Sequence, residues 1–314
     1  MSTSGLDYRK YLDPAVLAKI SGLELRARLI LDGFLSGTHR SGHRGLAVEF
    51  ASHRAYTQSD DIRHIDWKVF GRTDKHYVKE YEQETNLDVM LVVDCSESMG
   101  YKSHLAAMSK HEYATSIVAA ISYLALQQQD SVGLALFDEH LQMFMRPSGS
   151  SQHWKALVHE LESKVGQAKT ASDRVFSELV ERMRHRMLVV IVGDMFDDPR
   201  AVLRGLRQLR YRRHELVVLN VWDPAELALP FSGPIRFEGL EQMGTISAEP
   251  DGIRARYLEE VARFQAELRR GCSELHVDYV VFNTAAPLDA ALSTYLAART
   301  ARMRFRSSRV AGSA

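Results

Sequence analysis

Two cysteines, Cys95 and Cys272, are all that the 314-residue chain contains, too few for a disulfide framework or a zinc knuckle. Each borders an apolar run, so both are expected to be buried free thiols. Charge of one sign is lacking as well. Lys plus Arg and Asp plus Glu each number 40, giving a net charge of zero. That balance argues against a global electrostatic footprint for nucleic acid or an acidic membrane surface. Runs such as 89-VMLVV-93 fall far short of the ~20 apolar residues of a membrane helix. The N-terminal stretch MSTSGLDYRKYLDPAVLAKI has no continuous apolar core of the kind found in secretory signals, and a cytoplasmic location is expected. No Gly-x-x-x-x-Gly-Lys-Ser/Thr loop occurs, so nucleotide binding in the P-loop manner has no support. His39 and His43 lie four apart without the Glu of a metalloprotease helix. The histidines are therefore read as solvated or locally hydrogen-bonded.

What is present is an ordinary globular composition, 45% hydrophobic and 25% charged. A chain this long buries about three quarters of its unfolded surface without staples. Apolar residues Leu17, Ile20, Leu23, Leu25, Leu29 and Ile30 predict a helix over 14–35. Two imperfectly alternating stretches, 46–56 and 76–84, predict half-buried antiparallel strands. From 86 onward strands and helices alternate. The strands are 87–94, 131–138, 141–146, 187–194, 215–222 and 276–283, and the helices are 103–128, 151–165, 173–186, 199–213, 250–271 and 287–301. Short β pieces are expected within 230–249, and a hairpin around Asp138, Glu139 and His140. Strands spaced by helices imply an α/β fold with a doubly wound, mainly parallel sheet and helices on both faces. A small N-terminal α+β subdomain completes the plan, with boundaries 1–85, 86–302 and 303–314. Arg299, Arg302, Arg304, Arg306 and Arg309 near the end read as a solvated helix terminus.

The sharpest feature is 94-DCSESM-99, directly after a strand that is nearly all apolar. In open α/β sheets ligands bind beyond the carboxyl ends of the strands. Asp94 stands there, and the alternating Ser96 and Ser98 can turn both hydroxyls toward one point. One carboxylate and two hydroxyls are hard oxygen donors, suited to Mg²⁺ or Mn²⁺. Asp194 ends a second apolar strand, and Thr170, in 168-AKTASD-173, offers a further hydroxyl. Each loop taken alone also reads as a helix N-cap.

This arrangement resembles the metal-ion-dependent adhesion site of von Willebrand factor A domains. The resemblance implies metal ligation by Asp94, Ser96 and Ser98, with Thr170 as the threonine ligand and Asp194 as the later aspartate. Ser172 competes with Thr170 for the same role. Gly193 stands where the family usually has Ser or Thr.

Upstream, residues 37–73 are dense in paired Arg, Asp and Trp. His39-Arg40-Ser41, Arg44-Gly45, Glu49-Phe50, Arg54-x-Tyr56, Asp60-Asp61-x-Arg63, Asp66-Trp67-Lys68 and Arg72-Thr73 follow in order. Together with the Asp-x-Ser-x-Ser loop they resemble the "domain of unknown function 58" family over residues 25–290. Since Arg makes bidentate pairs with carboxylates, the block is expected to be an internal ion-pair network. A contact surface for an anion or a partner is the other reading, with Gly37, Gly42 and Gly45 letting backbone approach a ligand.

Neutral hydroxyls leave a bound cation electron-poor, so it seeks an anionic oxygen from outside. The expected function is therefore a non-catalytic, divalent-cation-dependent protein-binding module. The resemblance implies a MoxR-type AAA+ ATPase, or its client, as partner. The alternative is Mg²⁺-dependent phosphoryl transfer with Asp94 as nucleophile, although Ser96 stands where haloacid-dehalogenase-like enzymes carry a second Asp. Nucleic-acid binding through the arginines of 182–213 is outweighed by their reading as a solvated helix face.

Overall fold

A computed structural model describes residues 13–40, 53–55, 71, 77–79, 87–163, 172–239 and 244–297. Two compact units emerge, Met1–Gly37 with Asn86–Ala314, and Thr38–Thr85.

In the larger unit the chain begins with α1 (Pro14–Leu17) and α2 (Leu23–Arg40). A single helix was expected over 14–35. It is broken over 18–22, where α1 ends at Leu17 and Gly22, just before α2, adopts a left-handed φ of 85°, a conformation that glycine takes without strain. The buried stripe also differs: Leu23, Ala27, Ile30, Leu31 and Phe34 face inward, whereas Leu25 is 50% exposed. The guanidinium of Arg28 lies 5.7 Å from the centroid of the Tyr123 ring.

The core is a six-stranded sheet built from β3 (Asp88–Asp94), β4 (Ser131–Phe137), β5 (Leu141–Ser148), β6 (Leu188–Gly193), β7 (Glu215–Trp222) and β10 (Asp278–Asn283). Their spatial order is β10-β7-β6-β3-β4-β5. Every pairing is parallel except β4 with β5, which forms the expected hairpin. This is the doubly wound, mainly parallel sheet that the strand–helix alternation and the von Willebrand factor A-like resemblance imply. β3 and β6 are buried along almost their whole length, as expected where helices cover both faces.

The intervening helices are α3 (Lys110–Gln127), α4 (Ser151–Ser163), α5 (Ser172–Arg182), α6 (Pro199–Tyr211), the short α7 (Pro224–Ala228) and α8 (Pro250–Glu274). A last helix covers 289–297. α3 starts seven residues later than the expected 103. Ser109 closes it with a capping box to Glu112, which fixes the first turn there and leaves 101–109 as a loop. Strands β8 (Ile235–Glu238) and β9 (Thr245–Ala248) pair antiparallel in the Gly- and Pro-rich stretch, as expected. Cys95 and Cys272 are free and buried, and burial pushes the Cys272 thiol up to about 12, so it is inert at neutral pH.

The smaller unit contains β1 (His53–Ala55) paired antiparallel with β2 (Tyr77–Lys79), Arg54 lying opposite Val78. The pairing agrees with the antiparallel strands expected over 46–56 and 76–84, which the described residues cover only at these cores.

Candidate metal centre

The strand order reverses between β3 and β6, neighbours in the sheet whose connections leave toward opposite edges. Such a switch point opens a crevice at the carboxyl ends of the strands. Val93 lies opposite Val192, so Asp94 and Asp194, one and two residues further on, come out side by side. Both are fully buried. Their loops are built alike. Asp94 Oδ1 accepts the Ser96 N–H at 2.8 Å, and Asp194 Oδ1 accepts the Phe196 N–H at 3.0 Å. Each carboxylate thereby ends its strand and holds its own loop in a turn. After Asp194 the chain takes a left-handed turn at Met195, φ 54°, an unfavourable conformation for methionine that redirects the loop at the crevice.

Ser96 and Ser98 are buried beside Asp94, and their Oγ atoms are hydrogen-bonded to each other at 3.0 Å. Six oxygens at the 2.0–2.1 Å preferred by Mg²⁺ place neighbouring ligands about 2.9 Å from one another. The two hydroxyls therefore already have the spacing of one edge of such an octahedron. Gly193 explains itself by contact: a Cβ there would lie 2.5 Å from Asp94 Cβ and 3.1 Å from Asp94 Oδ2. The Asp94 side chain occupies the space that a side chain at 193 would need, so glycine is required there for packing.

Lys110, the first residue of α3, reaches into the same region. Its side chain is fully buried, with Nζ 2.9 Å from Asp194 Oδ2 and 2.7 Å from Glu226 Oε1. It also stands 4.6 Å from the centroid of the Phe196 ring, a cation–π contact. Burial works against the charge on Lys110, but Asp194 and Glu226 outweigh it and raise its pKa. Burial lifts the Glu226 carboxyl above the usual range, opposed by Lys110. Glu226 belongs to a capping box in which its Oε2 accepts the Asp223 N–H at 2.8 Å. Asp223 is buried as well, and its Oδ2 accepts the Ser103 N–H at 2.9 Å, tying the loop before α3 to the end of β7.

The chain matches the family model described as a protein of unknown function, DUF58, over residues 52–267. It belongs to the DUF58 family. Uncharacterized proteins of Mycobacterium bovis and Mycobacterium tuberculosis are 28% identical to it over 270 residues, 83% of each chain. Among solved structures it is similar to the conserved hypothetical protein BatB of Bacteroides thetaiotaomicron, at 15% identity and a TM-score of 0.48 over 70% of this chain and 99% of that one. An aerotolerance-related membrane protein of Bacteroides fragilis is similar at 16% identity and a TM-score of 0.49, over 68% and 100%.

Within this DUF58 chain Asp94, Ser96 and Ser98 lie at the carboxyl end of β3, and Asp194 lies at that of the neighbouring strand β6. Thr170 lies outside the described residues. Ser172 is buried at the start of α5, with its N–H donated to Asp197 Oδ2 at 2.9 Å, which places it against the loop that follows Asp194. Of the upstream block, Arg40 ends α2 and Arg54 sits in β1. Arg44, Glu49, Asp60, Asp61, Arg63, Asp66, Trp67, Lys68 and Arg72 fall outside the described residues. Sequence reasoning missed Lys110, Glu226 and Asp223. The Asp-Pro-x-Glu capping pattern at 223–226 was a readable signal for the last two. Lys110 gave none, being one lysine inside an expected amphipathic helix. No described helix is long and apolar enough to cross a membrane.

Proposed function

We propose that the chain is a non-catalytic protein-binding module that holds Mg²⁺ or Mn²⁺ through Asp94, Ser96 and Ser98, with Asp194 acting through water. The metal completes its coordination with a carboxylate of the partner. The observation carrying this reading is the 3.0 Å spacing of the Ser96 and Ser98 hydroxyls beside Asp94 at the switch point of the sheet. A hard cation accepts such oxygens, and Mg²⁺ keeps water in its open positions. An incoming carboxylate replaces one water and makes a charge-assisted contact. In this reading the metal supplies Lewis acidity, and the chain's residues position it. The partner is a MoxR-type AAA+ ATPase or its client, a choice that comes from the family resemblance.

Binding is favoured over phosphoryl transfer because, among the described residues, the lysine at these strand ends, Lys110, is fully buried and bound to Asp194 and Glu226. A pull-down of the purified ATPase tests the proposal, using wild type, wild type in EDTA, and the Ser96→Ala, Ser98→Ala double variant. The ATPase is expected to be recovered by untreated wild type only. Equal recovery in all three rejects the metal bridge. Phosphatase turnover by wild type that disappears in Asp94→Asn would instead favour the enzyme.

A further inference from the structure

Lys110 sits where a helix disfavours it. It is the first residue of an 18-residue helix, and helix N-termini carry partial positive charge that repels a cation. Its ammonium is also wholly out of water, which is tolerated only when carboxylates and further contacts compensate. All of the compensation lies toward the crevice: Asp194 Oδ2, Glu226 Oε1 and the face of Phe196. Neither the helix nor the apolar core explains a lysine here.

The partners of Asp194 show what the lysine does. Of its two carboxylate oxygens, Oδ2 takes Lys110 Nζ and Oδ1 takes the Phe196 N–H. The carboxylate is thereby held in one orientation, and its charge is shared with an internal cation. Asp94 has no such bond to Lys110. The two strand-terminal aspartates, alike in position, differ in their contact with Lys110.

We propose that Lys110 is a built-in counter-ion and positioning residue for the metal centre, holding Asp194 in place and setting how strongly the site attracts a divalent cation, with Glu226 tempering its charge. This rests on the metal reading given above. Without a divalent ion, Lys110 neutralises Asp194, so the strand ends keep their arrangement. With an ion bound, the Lys110 contact would hold Asp194 in its orientation and offset part of its charge. The site is thus tuned to hold its cation loosely, so that a partner's carboxylate contributes to holding it.

The test is a calorimetric titration of the full chain with Mn²⁺, for wild type, Lys110→Met and Glu226→Gln. Lys110→Met removes a positive charge a few ångströms from the ion, and Mn²⁺ binding is expected to tighten about tenfold. Glu226→Gln removes a negative charge while leaving an oxygen for Lys110, at the expense of the Asp223 cap, and binding is expected to weaken by about the same factor. In the absence of metal Lys110→Met should melt well below wild type, and saturating Mn²⁺ should recover most of the loss, because the ion replaces the missing ammonium. A purely structural lysine would lower both melting temperatures and leave the affinities equal, or shift them the same way. Either outcome overturns the proposal. Should Lys110→Met not fold, Glu226→Gln decides alone: affinity within twofold of wild type rejects the role. Absence of any Mn²⁺ uptake by wild type rejects the metal reading itself, and this inference with it.

Discussion

Gly193→Ala is expected to lose saturable Mn²⁺ binding and to melt several degrees below wild type. The added Cβ would lie 2.5 Å from Asp94 Cβ, a distance that carbon atoms do not sustain. The neighbour cannot withdraw as a whole, because Val93 and Val192 are locked in register on adjacent parallel strands. Rotation of the Asp94 side chain is the remaining escape, and that takes the carboxylate off Ser96 N and away from the hydroxyls. Overpacking of this kind costs about 1–3 kcal/mol, and each kcal/mol lowers the melting temperature of a domain of this size by about 2–4 °C. Thermal melting together with Mn²⁺ calorimetry reads both effects. An alanine variant that binds Mn²⁺ as wild type does would show that the Asp94 rotamer is not what the site depends on.

The second large effect concerns the upstream block. Asp66→Ala or Arg44→Ala is expected to lower stability by about 3–5 kcal/mol, the usual result of stripping one partner from a buried ion pair. The expectation comes from composition: between 40 and 72, Arg40, Arg44, Arg54, Arg63 and Arg72 are interleaved with Glu49, Asp60, Asp61 and Asp66. Thermal melting of each variant beside the purified wild type measures it. If the melting curves do not move while capture of the proposed ATPase partner is lost, the block is a contact surface and the ion-pair network is rejected.

The sheet was legible because its central strands are uninterrupted apolar runs, a pattern that strands covered on both faces must have. Asp94 and Asp194 were legible for the same reason, since a charged residue ending an apolar run marks the carboxyl end of a strand. Periodicity did not reveal where helices begin. The Ala-rich stretch after 103 looks helical throughout, and only the Ser109–Glu112 capping box, competing with the preceding loop, sets the start at Lys110. Lys110 and Glu226 were invisible as site residues because their role depends on a contact across 116 positions of chain. Local spacing carries no trace of such a contact. The packing role of Gly193 was equally invisible, since it too rests on a contact across the sheet, with Asp94. The helix expected over 14–35 is divided over 18–22, a break that ends at the left-handed Gly22.

The account stands on Asp94 as the anionic ligand of a divalent cation, and Mn²⁺ calorimetry on wild type and Asp94→Ala, with melting curves to confirm that both are folded, tests it most directly. Wild type is expected to bind one ion saturably and Asp94→Ala to show no measurable heat, because the two hydroxyls carry no charge and Asp194 is already paired with Lys110. Equal Mn²⁺ binding by the two folded proteins would contradict the account.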